Sequence, residues 1–592
     1  MENRIKILKI ALFVLFLGLL FRIGYLQLYQ GKKYLRQSEE NRLRLEEIDP
    51  VRGFIYDRKG RVLVDNSPCY TIVSSPGNIL AHPEAVKLLA EIFPGMESGE
   101  WMSAARKNLE RSPEIKLKRD IEFANLAAVE ENRIFLSGID IKVESKRRYP
   151  QKAAAHAFGY LSEISSSELA SYKGFLPGDI VGKKGIEKAY NAVLYGKKGY
   201  SVYEVDASGN KLAEAADVKG IRSLNGNDVY LTIDLDLQLF AEELLADKQG
   251  AVVAIDPRNG EILVLASNPS IDLEDFSGVM DIDKWNELLS DADKPLLDRA
   301  LQGVYPPGSA IKMAILAAAL EEKVVTPGEK VFCPGYMQTG NRQFKCWNEK
   351  GHGKISSINA LEQSCDVYFY HMGLRLGINR LAKYFRKFGF GSATGIDIEG
   401  EASGLVPDSS YMDRRYGKQG WGKGHIMNIS IGQGDLLVTP LQLACFCTGL
   451  ANRGKIPRPH LVKGILYHNP DKWEDMGTTF RDIEGISTQT WDIVLRGMYE
   501  VVQGGRGTAH WLMDRNLEMG GKTGTAQNPH GEDHAWFIGF APFDDPQIAV
   551  CALVEHGEHG SSAAAPIVVK IIRRHLQPSR MDEQPLVFKP VG

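Results

Sequence analysis

The stretch YPPGSAIKMAILAAAL (305–320) places a serine and a lysine three residues apart at the start of an apolar run. The apolar run predicts a buried helix that begins near Ser309, with Ser309 and Lys312 on one face. In one interpretation, Ser309 caps this helix and Lys312 is a solvated residue of its first turn. In the other, the helix N-terminus stabilises a serine alkoxide, and a lysine in apolar surroundings serves as the base.

Two further groups of polar residues follow in the chain. The segment SCDVYFY (364–370) opens another apolar run with a hydroxyl and a carboxylate, Ser364 and Asp366. The segment GGKTGTAQ (520–527) carries a positive charge, two hydroxyls and a glycine that lets a ligand approach the backbone, on Lys522, Thr523, Thr525 and Gly524. Each group alone is a weak signal. Together, in this order, they predict a serine active site that works without histidine.

The three groups resemble, in order and spacing, the three active-site motifs of the penicillin-binding proteins and serine β-lactamases. The forms YPPGSAIK and KTGTAQ are those of high-molecular-weight penicillin-binding proteins. Class B enzymes have segments similar to RGFIYDRKG, RRYPQKAAAHAFGYL, GIEKAYNAVLYG and IGQGDLLVTPLQLA, so the resemblance covers nearly the whole chain. The segments KCWNEKGHG and SCD resemble the elongation-specific branch, penicillin-binding protein 2, more closely than the division-specific branch.

This resemblance implies a serine-type D-Ala-D-Ala transpeptidase or carboxypeptidase that needs no cofactor for catalysis. The substrate would be a peptidoglycan stem peptide ending in D-Ala-D-Ala. Ser309 would attack the penultimate carbonyl with Lys312 as base, and Ser364 would pass a proton to the leaving D-Ala. A second stem amine would then take the acyl group, and penicillin would acylate Ser309 as a mimic of the donor.

The resemblance also implies roles for the backbone and for the third motif. The N–H groups of Ser309 and Thr525 would form the oxyanion hole. Lys522, with Thr523 or Thr525, would hold the terminal carboxylate of the substrate. One departure concerns Asp366, where many relatives have asparagine. Its negative charge favours the ammonium form of a nearby lysine, so a neutral lysine base in the resting enzyme does not follow from the motif.

The bulk composition restricts the class of protein. A chain of 592 residues predicts two to four domains. The net charge of −3 and the lack of a long basic run give no support to a nucleic-acid partner. The segment IALFVLFLGLLF (10–21) lies in an apolar stretch long enough to cross a bilayer, and no small-residue cleavage site follows it. We therefore expect a single-pass anchor in the cell (inner) membrane, with the N-terminus in the cytoplasm and the bulk of the chain outside it.

The residue patterns and the resemblance together predict the architecture. The fold class expected is the α/β (α+β) penicillin-binding transpeptidase fold of the serine β-lactamase type, preceded by an elongated α+β pedestal and one transmembrane helix. We expect an anchor in 1–30, the pedestal in 31–230, the transpeptidase domain in 231–577 and a loose tail in 578–592. Within the transpeptidase domain, DVYLTI (228–233) is expected to be the first strand and to share a sheet with the last.

Three cysteines and a histidine lie close together in the sequence between the first and second motifs. They have the spacing C-x12-C-x5-H-x12-C and are Cys333, Cys346, His352 and Cys365. Three thiolates and an imidazole predict a closed tetrahedral structural zinc site. Some relatives that resemble penicillin-binding protein 2 hold a zinc in this region with Asp, His and Cys ligands. A Cys333–Cys346 disulfide and ordinary buried thiols remain as alternatives.

Other functions on the same fold are a membrane-anchored β-lactam sensor, a β-lactamase and a non-catalytic scaffold of the elongation machinery. A β-lactamase needs a base for deacylation, and the sequence offers no evident one. A scaffold without activity would have lost Ser309, Lys312 or Lys522, and all three are present. A bifunctional enzyme with its own glycosyltransferase would need a longer and less strand-rich region than 31–230. By resemblance, the protein partner is a SEDS-family glycosyltransferase, contacted through the membrane segment and the pedestal.

Overall fold

The structure is a computed structural model that describes residues 2–577, except 110–113, 166, 173, 206–210, 215–218, 279, 469, 515 and 530. The predicted tail, 578–592, lies outside the described residues. The described chain forms two compact units. The first comprises Met1–Gly53, Asn66–Lys146 and Tyr195–Gly226, and the second comprises Phe54–Asp65, Arg147–Leu194 and Asn227–Gly592. Three stretches of the predicted pedestal, Phe54–Asp65, Arg147–Leu194 and 227–230, thus belong to the second unit.

The helices are numbered in chain order: α1 (Glu2–Gly24), α2 (Gly31–Arg42), α3 (Pro76–Ala81), α4 (Pro83–Ile92), α5 (Ser98–Asn108), α6 (Phe123–Glu131), α7 (Ala155–Phe158), α8 (Gly185–Ala189), α9 (Asn191–Tyr195), α10 (Leu235–Leu245), α11 (Ile282–Ser290), α12 (Lys312–Glu321), α13 (Ser357–Glu362), α14 (Asp366–Leu376), α15 (Ile378–Lys387), α16 (Ser409–Tyr416), α17 (Lys423–Ile429), α18 (Pro440–Ala451), α19 (Thr488–Gln503) and α20 (Ala565–Leu576). The strands are β1 (Leu43–Ile48), β2 (Ile55–Tyr56), β3 (Val62–Ser74), β4 (Ile115–Lys118), β5 (Ile139–Arg148), β6 (Leu161–Glu163), β7 (Ile180–Gly182), β8 (Gly199–Val205), β9 (Lys211–Glu214), β10 (Asp228–Leu231), β11 (Gly250–Ile255), β12 (Ile262–Asn268), β13 (Val331–Cys333), β14 (Tyr336–Thr339), β15 (Arg342–Lys345), β16 (Gly353–Ile355), β17 (Lys455–Pro457), β18 (Val462–His468), β19 (Asp471–Asp475), β20 (Phe480–Asp482), β21 (Gly520–Ala526), β22 (His534–Ala541) and β23 (Ile548–Val554).

The first unit combines the apolar N-terminal helix with small mixed layers. Helix α1 continues through a π-helical turn, and the resulting apolar helix, Glu2–Tyr29, is long and apolar enough to cross a membrane. Strands β1, β8 and β9 form an antiparallel sheet, and the β8–β9 hairpin lies in YGKKGYSVYEVDASGNKLAE (195–214), whose pattern predicts hairpins. Helices α3 to α6 and the C-terminal end of β3 enclose a small core that includes Val86, Leu89 and Trp101. The sequence thus forms an α+β layer here because short apolar helices and strands each bury one face.

The second unit is built on a five-stranded antiparallel sheet in the order β12-β11-β23-β22-β21. Every residue of β11 and β23 is buried, which explains why these strands are continuous apolar runs rather than alternating ones. Strand β11 and the last strand, β23, pair from Gly250 to Ile255. Helices α10 and α20 pack on one face of the sheet, and α18 packs on the other. The predicted α/β domain with helices between its first and last strands is confirmed.

The strand within DVYLTI corrects one expectation. This strand, β10, pairs antiparallel with β18 and parallel with β2, so it lies in a different sheet from β23. The first strand that shares a sheet with the last is β11. The error arose because a run of alternating apolar residues indicates a strand without indicating its partner, and β18 is more than two hundred residues further along the chain.

Candidate active site

Ser309 lies in a 3-10 turn, Gly308–Ile311, that precedes helix α12. The α-helix begins at Lys312, so the expected helix start at Ser309 is wrong by three residues, and Ser309 is not the N-cap of α12. Gly308 has a φ of +54°, and a Cβ built on it would lie 2.4 Å from the carbonyl oxygen of Thr525. Only glycine therefore fits here, and its absence of a side chain lets the turn press against β21. The Ser309 side chain is half-buried, and its hydroxyl has no hydrogen-bond partner among the described residues.

Lys312 occupies the first turn of α12 and is fully buried. Its Nζ donates to Asp366 Oδ1 at 2.7 Å, to the carbonyl oxygen of Ser364 at 2.9 Å and to Ser364 Oγ at 3.3 Å. It also lies 5.2 Å from the centroid of the Phe369 ring. The interpretation of Lys312 as a solvated first-turn residue is therefore wrong. Because α12 is apolar on all sides, the helix buries this lysine along with its core residues.

The second motif forms the tight turn between α13 and α14. Ser364 adopts a φ of +52°, a left-handed conformation that costs a non-glycine residue about 1–2 kcal/mol. Its hydroxyl accepts hydrogen bonds from Lys312 and from Lys522, the second at 2.9 Å. Strain of this kind persists where surrounding contacts hold it, and here hydrogen bonds from the side chains of two buried lysines do so.

Lys522 lies on β21 and is fully buried. Its Nζ donates to Ser364 Oγ at 2.9 Å, to the carbonyl oxygen of Thr523 at 2.9 Å and to Thr523 Oγ1 at 3.4 Å. Burial lowers the pKa of Lys522 well below its ordinary value, the charge of Lys312 lowers this pKa further, and Asp366 opposes the shift. Two lysines and one carboxylate therefore share a single buried network around one serine hydroxyl.

The remaining residues of the third motif face the turn that carries Ser309. A Cβ built on Gly524 would lie 2.9 Å from the carbonyl oxygen of Pro307, so glycine is required for this close approach. Thr525 accepts at Oγ1 a long 3.5 Å hydrogen bond from the N–H of Gly560. The oxyanion hole that the resemblance assigns to the N–H groups of Ser309 and Thr525 stays a prediction.

Three residues at this site were missed by sequence reasoning. Thr508 Oγ1 lies 2.9 Å from Thr523 Oγ1, and the N–H of Thr508 donates to the carbonyl oxygen of Glu362. Gln433 Nε2 donates to the carbonyl oxygen of Thr525 at 3.0 Å. The third is Trp347. The glycine-rich GGRGT loop before β21 was the available signal for Thr508, and Gln433 lies within the family-like segment IGQGDLLVTPLQLA.

Trp347 connects the second motif with the cysteine cluster. Its backbone N–H donates to Asp366 Oδ2 at 2.9 Å, and its indole Nε1 donates to the carbonyl oxygen of Gln363 at 2.9 Å. The side chain remains 61% exposed beside the active site. Asp366 therefore accepts hydrogen bonds on both carboxylate oxygens, one from the Trp347 backbone and one from Lys312.

The four cluster residues come together as the sequence predicts. The ligand atoms of Cys333, Cys346, His352 and Cys365 all lie within 4.8 Å of one another. Pairing of β13 with β16 sets Cys333 opposite Gly353, which brings the preceding His352 to the cluster. His352 Nδ1 lies 3.6 Å from the sulfur atoms of both Cys333 and Cys346. All seven cysteines are free, so the alternative Cys333–Cys346 disulfide is not formed.

The acidity of the thiols differs strongly within the cluster. Hydrogen bonds from Cys365, followed by those from His352, lower the pKa of Cys346 to about 3 and that of Cys333 to about 6. Hydrogen bonds with Cys333 and Cys346, followed by burial, raise the pKa of Cys365. For His352, burial lowers the pKa, but the hydrogen bonds to Cys346 and Cys333 raise it more. Thiolates are the form in which cysteine binds metals, so this arrangement has the chemistry of a metal site.

Two protein-family models match the chain. The penicillin binding protein transpeptidase domain matches residues 250–573, and the penicillin-binding protein dimerisation domain matches residues 47–231. The peptidoglycan D,D-transpeptidase MrdA of Acinetobacter baumannii is 34% identical over 564 residues, which are 92% of this chain and 83% of that protein.

Solved structures are similar over most of the chain as well. The complex between penicillin-binding protein PBP2 and MreC from Helicobacter pylori has a TM-score of 0.79 at 31% identity, and the match covers 90% of this chain and 99% of that chain. A structure described as structural coordination of polymerization and crosslinking by a peptidoglycan synthase complex has a TM-score of 0.71 at 30% identity, with 98% of this chain and 100% of that chain covered.

Proposed function

Since this chain belongs to the penicillin-binding protein transpeptidase family, we propose that it cross-links peptidoglycan through an acyl-enzyme formed on Ser309. The chain is a peptidoglycan D,D-transpeptidase of the elongation type, which binds penicillins and acts without a cofactor in catalysis. The observation that supports these site residues is the buried network that joins Lys312 and Lys522 through the hydroxyl of Ser364.

The first half-reaction forms the acyl-enzyme. Ser309 Oγ attacks the carbonyl carbon of the D-Ala–D-Ala bond, and the new C–O bond forms as the peptide C–N bond breaks. The serine proton passes to Lys312, which lies one turn further along the chain. Ser364 donates a proton to the leaving amine and is reprotonated by Lys312. Ser364 Oγ accepts from both lysines, so its own hydrogen is free to point at the substrate, which supports this role.

Asp366 has an electrostatic effect on this sequence of steps. Asp366 Oδ1 lies 2.7 Å from Lys312 Nζ, so its carboxylate would stabilise the positive charge that Lys312 gains when it accepts the Ser309 proton. Burial disfavours a positive charge on Lys522 in the free enzyme. A substrate carboxylate bound near Lys522 would stabilise that charge. Acyl transfer to the second stem amine reverses the proton path.

We propose that Cys333, Cys346, His352 and Cys365 hold a structural zinc. In a tetrahedral zinc site, a sulfur at about 2.3 Å and a nitrogen at about 2.0 Å from the metal lie about 3.5 Å apart. The two Sγ–Nδ1 distances of 3.6 Å fit that separation. The donor set of three thiols and one imidazole is that of a closed structural site. A bound zinc would supply rigidity to the turn that carries Ser364 and Asp366, because Cys365 stands between them.

We also propose boundaries for the parts of the chain and a location for the chain in the cell. The proposed parts are an anchor in 1–30, a pedestal in 31–230, the transpeptidase domain in 231–577 and a tail in 578–592. Helix Glu2–Tyr29 supports a single-pass anchor in the inner membrane, with the N-terminus cytoplasmic and the remainder extracytoplasmic. A SEDS-family glycosyltransferase is the proposed partner. The similarity to a peptidoglycan synthase complex that coordinates polymerization and crosslinking supports this partner.

Labelling with a fluorescent penicillin tests the nucleophile. Ser309→Ala is expected to abolish the covalent adduct while the melting temperature stays close to that of the wild type, because the hydroxyl has no structural partner. The control Ser290→Ala removes an exposed hydroxyl that bonds only to its own helix and should label as the wild type does. Mass mapping of the acylated peptide should identify residue 309. An adduct that persists in Ser309→Ala would contradict the assignment.

A further inference from the structure

A cavity whose lining contains none of the active-site residues has a volume of about 310 Å³. We call it the arginine pocket. Its walls come from residues 388–394, the first turns of α18, and strands β17 and β20 with their flanking residues. None of the residues assigned to catalysis or to the cysteine cluster lines it. The volume is that of a small-molecule site.

Two arginines, Arg458 and Arg481, contribute the charge of the arginine pocket. Arg458 Nε donates to the carbonyl oxygen of Gly395, and an NH1 of Arg481 donates to the carbonyl oxygen of Lys387 at 3.3 Å. These bonds orient the guanidinium groups and leave further N–H donors available. Neither arginine forms an ion pair within the described part of the chain, and no aspartate or glutamate lines the cavity there. The carboxylate of Glu401 lies behind the wall, where it accepts hydrogen bonds from the N–H groups of Thr394 and Gly395, so the two arginines leave the lining itself with positive charge.

One polar atom in the wall lacks a partner. Thr394 Oγ1 is buried and has no hydrogen-bond partner among the described residues. A buried polar group left without a partner is unfavourable, so a rotation of the Thr394 side chain that lets this hydroxyl bond to a molecule in the cavity would be favourable. The loop that carries Thr394 is held from behind, because Gln442 Nε2 donates to the carbonyl oxygens of Ser392 and Ser403 at 2.8 and 2.9 Å. The hydroxyl thus sits on a fixed loop.

The rest of the wall is apolar. Phe388 and Ile456 are buried, and Phe480 closes the rim with its ring under the ammonium of Lys455 at 5.1 Å. Small-molecule sites typically combine such apolar walls with a few polar groups that fix orientation. An inorganic anion alone would leave these walls without contacts.

We propose that the arginine pocket binds a small organic anion, a carboxylate or a phosphate carried on an apolar body. The guanidinium groups of Arg458 and Arg481 would take the anionic oxygens, since their planar forks match carboxylate and phosphate. The hydroxyl of Thr394 would donate to the same group, and Phe388, Ile456 and Phe480 would contact the apolar body. The shared chemistry has two natural sources, the carboxylates of cell-wall peptides and the phosphates of lipid headgroups.

Equilibrium dialysis of the full chain in detergent, with a detergent-only control, tests this proposal. The probes are phenyl phosphate and benzoate, with benzamide as the neutral isostere of benzoate. We expect both anions to bind with a Kd of millimolar order, and benzamide to bind at least about tenfold more weakly. Arg458→Gln and Arg481→Gln should each weaken phenyl phosphate binding about tenfold. Arg481→Lys, which keeps the charge and loses the fork, should give an intermediate affinity.

Two further comparisons separate this site from general cation attraction. Arg453→Gln removes an exposed arginine that pairs with Asp492 near the end of α18, and it should bind phenyl phosphate as the wild type does. Thr394→Val should weaken binding while preserving the charge. Displacement of phenyl phosphate by a stem pentapeptide or by glycerol phosphate would support the proposal and identify the source. Equal binding of benzoate and benzamide, or equal losses in the Arg453 and Arg481 variants, would overturn it.

Discussion

Replacement of Cys346 by serine tests the zinc site and its connection to catalysis. The wild-type chain, purified without chelators, is expected to contain about one zinc, and Cys346→Ser less than about a third of that. The reason is that serine removes one of the two sulfur atoms in contact with His352 Nδ1. Metal content is measured by mass spectrometry of the purified chain, and stability by thermal unfolding.

Cys346→Ser is expected to affect catalysis through Trp347, which follows Cys346 in the sequence. The backbone N–H of Trp347 donates to Asp366 Oδ2, and Asp366 in turn holds Lys312. A hydrogen bond to a charged group contributes about 1.5–3 kcal/mol. If the loosened loop loses this bond in the transition state, acylation by penicillin slows by about 10- to 150-fold. A time course of fluorescent-penicillin labelling measures this rate.

A matched cysteine variant separates loss of metal from loss of packing. Cys447→Ser replaces a fully buried thiol of α18 that belongs to no metal-ligand cluster among the described residues. It should lose stability but keep its zinc and its acylation rate. A wild-type chain with less than about a tenth of a zinc would refute the site. A Cys346→Ser variant with unchanged metal content and melting temperature would refute it as well.

Three other substitutions test the active-site geometry. Lys522→Met should slow acylation at least about tenfold, because it removes the buried amine that donates to Ser364 Oγ. Burial depresses the folded-state pKa of Lys522, so the unfolded chain binds the proton more tightly than the folded chain does. The free energy of unfolding of the wild type therefore rises with pH between the depressed and the ordinary pKa of lysine. Denaturation at a series of pH values should show a flatter rise in Lys522→Met. Thr508→Val should lower the acylation rate about three- to tenfold, because it removes the 2.9 Å contact between the hydroxyls of Thr508 and Thr523. The control Thr488→Val, at an exposed position, should leave the rate unchanged. Equal acylation rates in the two variants would show that the Thr508–Thr523 contact does not contribute to acylation. Gly308→Ala should destabilise the fold by about 2 kcal/mol or more, because its left-handed backbone and the carbonyl oxygen of Thr525 leave no room for a Cβ. The control Gly328→Ala, whose Cβ would meet nothing within 4 Å, should change stability by under about 0.5 kcal/mol. Equal melting temperatures of the two variants would contradict the left-handed turn at Gly308.

Local pattern was sufficient to predict many elements of the second unit. Strands β11 and β12, joined at DPRNGE, and strands β22 and β23 occur where continuous apolar runs flank turn residues. Helix α10 begins after its N-cap Asp234, as expected. These predictions succeeded because periodicity and caps act over a few residues. The family, too, was recognisable from short motifs, and the comparisons over most of the chain confirm it.

The sequence by itself determined which chemical groups the site contains: a serine, two lysines, a second serine with a carboxylate, and four potential metal ligands. Only the tertiary structure decided how they meet. Lys522 reaches Ser364 from 158 residues away. Its complete burial, and the shift of its pKa, depend on α19 and the 3-10 turn Gly308–Ile311 packing against β21. The sequence also did not indicate the partner strand of β10 or the role of Thr508. Strand pairing and side-chain burial depend on contacts between segments far apart in the chain, and local sequence periodicity carries no information about those contacts.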